Sequence, residues 1–167
     1  ERGLARKVTG RHFGILGLGQ IGSAIAARLA PFGPVSYCGP RRKPVPYAYH
    51  DGVLALAQAC DVLVIACPAT PDTTRIVDAA VLAALGEEGY LVNVSRGAIV
   101  DEAALIEALD AGRLAGAGLD VFGRGELRSL PGVLAKGPLR YVLTGVGDWK
   151  DASPDKLLAF LARWRGS

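Results

Sequence analysis

The 167-residue sequence contains no methionine, two histidines and three cysteines. Each scarcity excludes something. With only His12 and His50 available, few side chains can exchange a proton near neutral pH. Cys38, Cys60 and Cys67 lack metal-site spacing, so no metal site is expected. Each cysteine sits in or beside an apolar run, which predicts buried free thiols in a reducing cytoplasm. No apolar run approaches the roughly 18 residues that a membrane helix needs, and the first residues are polar. Neither a membrane segment nor a signal peptide is therefore expected. The missing initiator methionine suggests a fragment or a processed chain. The net charge of +3 is too small to argue for nucleic acid. The basic residues gather at Arg41-Arg42-Lys43 and at the two ends, without interleaved aromatics.

What remains is a globular composition, 50% hydrophobic and 21% charged, with a length that suits a single domain over residues 1–167. Such a domain buries about two-thirds of its unfolded surface and needs no metal or disulfide staple. Short apolar runs alternate with helical stretches. Strands are expected at Phe13–Leu16, Val35–Cys38, Val62–Ala66, Tyr90–Val94, Gly116–Val121 and Tyr141–Thr144. Helices are expected at Gln20–Phe32, Gly52–Ala59, Asp78–Leu85, Asp101–Ala111 and Pro154–Trp164. Continuous apolar strands separated by helices mean a parallel sheet covered on both faces. The predicted fold class is α/β, a doubly wound parallel sheet of about six strands. Gly123–Gly137, rich in Gly, Arg and Pro, reads as an irregular loop.

The first strand runs into Gly17-Leu18-Gly19-Gln20-Ile21-Gly22, spacing G-x-G-x-x-G, and an alanine-rich helical stretch follows. Strand, glycine turn and helix in that order form a dinucleotide-binding fingerprint. Gly17 is expected to make the tight turn and Gly19 to leave room for a pyrophosphate. Gly22 is expected to let the helix approach the strand. The helix N-terminus offers free N–H groups and the positive end of its dipole. Dinucleotide sites that take NAD place an Asp or Glu at the end of the second strand. Here Val35–Cys38 is followed by Gly39-Pro40-Arg41-Arg42-Lys43, with no carboxylate and three cations. That turn suits a dianionic 2′-phosphate, so NADP is expected over NAD.

Three segments together resemble the D-2-hydroxyacid dehydrogenase family. They are Gly14–Gly22, Leu91–Gly97 followed by Val100-Asp101-Glu102, and Ala115–Phe122. Cys67-Pro68 with Thr70-Pro71 and Thr73 adds the family's loop after the third predicted strand. The likeness covers residues 10–122 and is nearest in flavour to the glyoxylate and hydroxypyruvate reductases; residues 123–167 diverge. The resemblance implies hydride transfer between a nicotinamide and a 2-keto or 2-hydroxy acid. It implies a cofactor site at Gly17, Leu18, Gly19, Gln20, Ile21, Gly22, Arg41, Arg42, Cys67, Pro68, Thr73, Val94, Ser95, Arg96 and Asp120. It also implies that Arg96 holds the substrate carboxylate with its planar fork.

The family's two other catalytic positions carry the wrong residues. Where its catalytic Glu is expected the chain has Gly125, with Glu126 one residue late and no Pro after it. Where its His is expected, after Leu143-Thr144-Gly145, stands Val146, which cannot exchange a proton. His12 falls at the opposite edge of the sheet and His50 far from the expected site. The family's substrate domain, built mainly from residues before the fingerprint, has no counterpart in Glu1–Thr9. The expectation is an NADP-binding domain, cut out, degenerate or redesigned, and inactive alone. Two alternatives stand beside it: an enzyme fragment that needs a separate substrate domain, or an oligomerisation module that kept the fold. The family's habit of pairing through this domain implies a possible homodimer.

Overall fold

The computed structural model describes residues 8–121 and 141–143. Seven strands form one sheet: β1 (Phe13–Leu16), β2 (Val35–Cys38), β3 (Ala48–His50), β4 (Val62–Ile65), β5 (Tyr90–Asn93), β6 (Gly116–Leu119) and β7 (Tyr141–Leu143). Their order is β3-β2-β1-β4-β5-β6-β7, and every neighbouring pair is parallel. Helices α1 (Gln20–Leu29), α2 (Val53–Gln58), α3 (Ala79–Leu85) and α4 (Glu102–Asp110) connect them. The doubly wound α/β expectation holds, with one strand more than the sequence suggested. The terminal helix expected at Pro154–Trp164 and the loop expected at Gly123–Gly137 lie outside the described residues.

The sheet core divides by the two-residue period of a strand. Phe13 and Ile15 of β1 point to one face, where they join Val35, Tyr37, Val64 and Ala26 of α1. Leu16 points to the other, where it joins Cys38, Leu63, Ile65, Leu91 and the apolar sides of α2, α3 and α4. Both faces of the central strands are therefore covered, which is why β1 and β2 are buried at every position. On α4, Leu105, Ala108 and Leu109 face inward at helical spacing, while Glu107 and Asp110 face out. Asp78 and Asp101 cap α3 and α4, accepting from Val81 N at 3.0 Å and Ala104 N at 3.3 Å.

The largest boundary difference and one unexpected strand have clear physical reasons; the other described elements end within two residues of the sequence reading. Helix α1 stops at Leu29 and not at Phe32, because Pro31 has no N–H to continue the ladder. Strand β3 was not anticipated, because it is only three residues long and lies behind Pro44 and Pro46 at the sheet's edge. It aligns Tyr49 with Tyr37 and His50 with Cys38, so His50 is a strand residue.

Candidate functional site

The strand order reverses between β1 and β4, so the loops leaving their C-terminal ends diverge to opposite sides. A crevice at such a point is where open α/β sheets accept ligands. The sequence-predicted site residues all follow the C-terminal ends of β1, β2, β4, β5 and β6. One sheet edge thus gathers residues spread from Gly17 to Asp120.

At the end of β1 the fingerprint turns sharply. Gly17 has φ +94°, a left-handed conformation that favours glycine. A Cβ there would also fall 2.6 Å from the Cα of Cys67. Gly22 faces back into this turn, and a Cβ on it would lie 2.0 Å from the Gly17 carbonyl oxygen. Helix and strand can approach only because that position is bare. Gly19 differs, with nothing within 4 Å of where its Cβ would be. It is the exposed N-cap of α1, no side chain caps the helix there, and the first turn has no acidic residue. A ten-residue helix thus presents its N-terminus toward open space, the setting in which backbone N–H groups accept an anion.

The rest of the fingerprint divides between core and surface. Leu18 is buried among Phe13, Ile15 and Tyr37, so only its backbone is available. Gln20 and Ile21 are exposed on the first turn of α1. Beyond β2, Arg41 and Arg42 are exposed, and among the described residues no carboxylate pairs with either. Lys43 is half-buried, and its ammonium donates to the Leu18 carbonyl at 2.5 Å. The cation turn and the glycine loop, 25 residues apart, are therefore joined directly. Sequence reasoning counted Lys43 as a third cation and missed this contact, for which the sequence carries no signal.

The loop after β4 is held by its own polar groups. Thr73 Oγ1 donates to Pro68 O at 2.8 Å and accepts from Thr70 N at 2.7 Å. Ser95 Oγ donates to the Cys67 carbonyl, tying this loop to the one after β5. Burial pushes the Cys67 thiol above its ordinary pKa, so its contribution is backbone and not thiolate chemistry. Cys38 is raised by the same cause, and Cys60 is pushed up to about 12, chiefly by burial and then by Asp61. All three cysteines are free and buried, as expected.

Past β5, buried Asn93 shapes the loop that carries Arg96. Its Oδ1 accepts from Ser95 N at 3.0 Å and its Nδ2 donates to Arg96 O at 3.0 Å. The signal for Asn93 was legible, since an Asn closing a strand before a turn bonds its backbone two residues on. Val94 is half-buried, and its N–H donates to Ile65 O at 3.3 Å. The Arg96 guanidinium is exposed beyond the C-terminal end of β5, with NH1 donating to Ser95 O at 2.8 Å. Asp120 is exposed, its N–H donating to Asn93 O at 3.0 Å.

His12 sits at the opposite edge, just before β1, where its N–H donates to Asp61 Oδ2 at 2.7 Å. Its ring pKa is lowered, first by burial. Gly125, Glu126 and Val146 lie outside the described residues. Among the described residues no His, Cys, Asp and Glu side chains cluster as a metal site, and no helix is long and apolar enough to cross a membrane.

The donors, cations and open space fit a bound dinucleotide. Comparison with known proteins agrees. Residues 1–135 match the profile of the D-isomer specific 2-hydroxyacid dehydrogenase NAD-binding domain. The chain is 50% identical over 123 residues to hydroxyphenylpyruvate reductase of Plectranthus scutellarioides, covering 72% of this chain and 39% of that protein. It is 51% identical over 121 residues to glyoxylate/hydroxypyruvate reductase A of Arabidopsis thaliana, covering 71% and 39%. Among solved structures, an NADPH-dependent glyoxylate/hydroxypyruvate reductase from Sinorhizobium meliloti, in complex with NADP and malonate, superposes with TM-score 0.73 at 37% identity. That match covers 95% of this chain and 51% of the other. The chain thus spans less than half the length of these curated relatives. It belongs to the D-isomer specific 2-hydroxyacid dehydrogenase family, of which it carries the NAD-binding domain.

Proposed function

We propose that the chain is an NADP(H)-preferring cofactor domain of the glyoxylate/hydroxypyruvate reductase type, without turnover of its own. The observation that carries the preference is the turn after β2. It holds Arg41, Arg42 and Lys43, no carboxylate, and a direct tie to the glycine loop. A 2′-phosphate is a dianion that guanidinium groups bind in bidentate fashion, and the turn holds no carboxylate to accept the hydroxyls of an unphosphorylated ribose. The Sinorhizobium meliloti relative, NADPH-dependent and solved with NADP, supports the same reading.

In this reading the backbone of Gly17–Gly22 and the N-terminus of α1 hold the pyrophosphate, with Gln20 and Ile21 beside it. Arg41 and Arg42 take the 2′-phosphate. Cys67, Pro68, Thr73, Val94, Ser95 and Asp120 line the nicotinamide half, and Arg96 orients a 2-keto or 2-hydroxy acid by its carboxylate. When bound, the nicotinamide supplies the hydride. Gly125 and Val146 hold no proton to transfer at the positions where the family's acid–base pair is expected. Substrate chemistry therefore requires groups that these positions do not provide. A homodimer and a cytoplasmic setting, the latter favoured by three buried free thiols, belong to the same proposal.

Paired fluorescence titrations with NADPH and NADH test the preference. The wild-type chain is expected to bind NADPH more tightly, and an Arg41→Ala/Arg42→Ala double variant to lose that advantage. Equal affinities, unchanged in the double variant, would overturn it. Assays with glyoxylate and hydroxypyruvate plus NADPH are expected to show no turnover; activity that vanishes in Arg96→Ala would show the chain to be an enzyme.

A further inference from the structure

We propose that Lys43 is a positioning residue that locks the glycine loop and so sets affinity for any dinucleotide, with or without a 2′-phosphate. The proposal rests on the dinucleotide-binding reading above and assigns Lys43 a role distinct from that of Arg41 and Arg42.

The turn that carries Lys43 is pinned at both ends by two tyrosines of neighbouring strands. Tyr49 Oη donates to Gly39 O at 3.1 Å, at the start of the turn. Tyr37 Oη accepts from Lys43 N at 2.6 Å, at its end. The two rings pack with centroids 5.3 Å apart and planes at 58°. From that fixed base the Lys43 ammonium reaches the Leu18 carbonyl at 2.5 Å. The Leu18 side chain is itself buried beneath α1, so the peptide that follows it is held from both sides.

A trans peptide is planar, and its C=O and N–H point in opposite directions. Fixing the Leu18 carbonyl on Lys43 therefore fixes the direction of the Gly19 N–H. That N–H lies at the N-cap of α1, where the Cβ position faces open space. Lys43 works through the main chain, which every dinucleotide meets. Arg41 and Arg42, exposed and without a carboxylate partner among the described residues, remain for a charge that only one dinucleotide carries.

The test compares wild type, Lys43→Met, Lys43→Arg and Arg41→Ala/Arg42→Ala in titrations with NADPH and NADH. Lys43→Met is expected to weaken both by about the same factor, roughly five- to tenfold, the scale of one hydrogen bond lost from a part-exposed site. Lys43→Arg, which keeps a donor, is expected to recover most of the loss for both ligands. The double variant is expected to weaken NADPH alone. In the ligand-free chain, the NMR order parameter of the Gly19 amide is expected to fall in Lys43→Met while the melting temperature stays near wild type. Loss of NADPH affinity alone in Lys43→Met would make Lys43 a phosphate ligand and overturn the proposal, as would unchanged affinity for both. The relaxation measurement needs no dinucleotide. A wild type that binds neither one overturns the proposed function, while an unchanged Gly19 order parameter overturns the tie itself.

Discussion

Gly17 lies against the backbone of Cys67 so closely that a Cβ on Gly17 would sit 2.6 Å from the Cys67 Cα and nitrogen. The same residue has φ +94°. Gly19, two residues on, has φ −79° and open space around its Cβ direction. The two glycines should therefore separate folding from binding. Gly17→Ala is expected to destabilise the chain by about 2 kcal/mol or more, from overpacking and backbone strain together. Gly19→Ala is expected to stay within about 0.5 kcal/mol of wild type, the range for substitutions that meet nothing, yet to weaken dinucleotide binding. Urea unfolding of both variants checks this, and equal stability losses would refute it.

Asn93→Ala should cost stability and loosen the Arg96 loop together. The side chain is buried and bonds both Ser95 N and Arg96 O. Its removal leaves a part-buried main-chain donor and an acceptor without those bonds, a loss of about 1 kcal/mol or more. The expected readouts are a lower urea midpoint and faster exchange of the Ser95 amide. An Asn93→Asp variant keeps the acceptor for Ser95 N and should retain more of that protection.

Acid should remove the contribution of Asp101. The hydrogen bond from Arg75, at 2.5 Å, holds its carboxyl below the usual carboxylate range, with the Ala104 N–H as the next cause. A carboxyl depressed by folding stabilises above its unfolded pKa, about 3.9, and that stability is lost as pH falls through the folded value. Wild type is expected to exceed Asp101→Asn in stability at neutral pH. Because Asn still caps a helix, the difference should shrink below about pH 4, where the charge is lost. A difference that persists undiminished into acid would sink the assignment.

His12 should act in a higher window. Burial lowers its pKa, Asp61 opposes the shift and His50 adds to it, and its Nε2 is buried without a hydrogen-bond partner among the described residues. The folded state therefore binds the proton less well than the unfolded chain does. Stability is full above about pH 6.5, the unfolded value, and declines as pH falls from there toward the folded pKa. His12→Phe keeps the main-chain bond to Asp61 and removes the titration. Its stability should be flatter than that of wild type between about pH 6.5 and pH 5; parallel curves would argue against the assignment.

Most of the sheet was legible because its central strands are short, mainly apolar runs between breakers. Val35–Cys38 is buried throughout and stands between Gly33-Pro34 and Gly39-Pro40. Helix α4 was legible from the spacing of Leu105 and Leu109 and from Asp101 at its start. The edge strand β3 was not, since one exposed and two half-buried residues behind two prolines carry no apolar run. At the site, Gly17 and Gly22 announced the turn, because each fills a need that only a residue without a Cβ meets. Lys43 did not, because its partner is a carbonyl, and every residue has one. What distinguishes Leu18 is the bend that brings it within reach, which arises from chain geometry and not from residue type.

Much of the site's frame is main chain on main chain. Gly17 N bonds Cys38 O at 2.8 Å, Ala66 N bonds Leu16 O at 2.8 Å, and Asp120 N bonds Asn93 O at 3.0 Å. The side chains on its rim, among them Gln20, Ile21, Arg41 and Arg42, are exposed and carry little of the folding free energy. Evolution and laboratory selection can therefore exchange those rim residues, and with them the choice of ligand, at little cost to the scaffold. The frame itself leaves no such latitude.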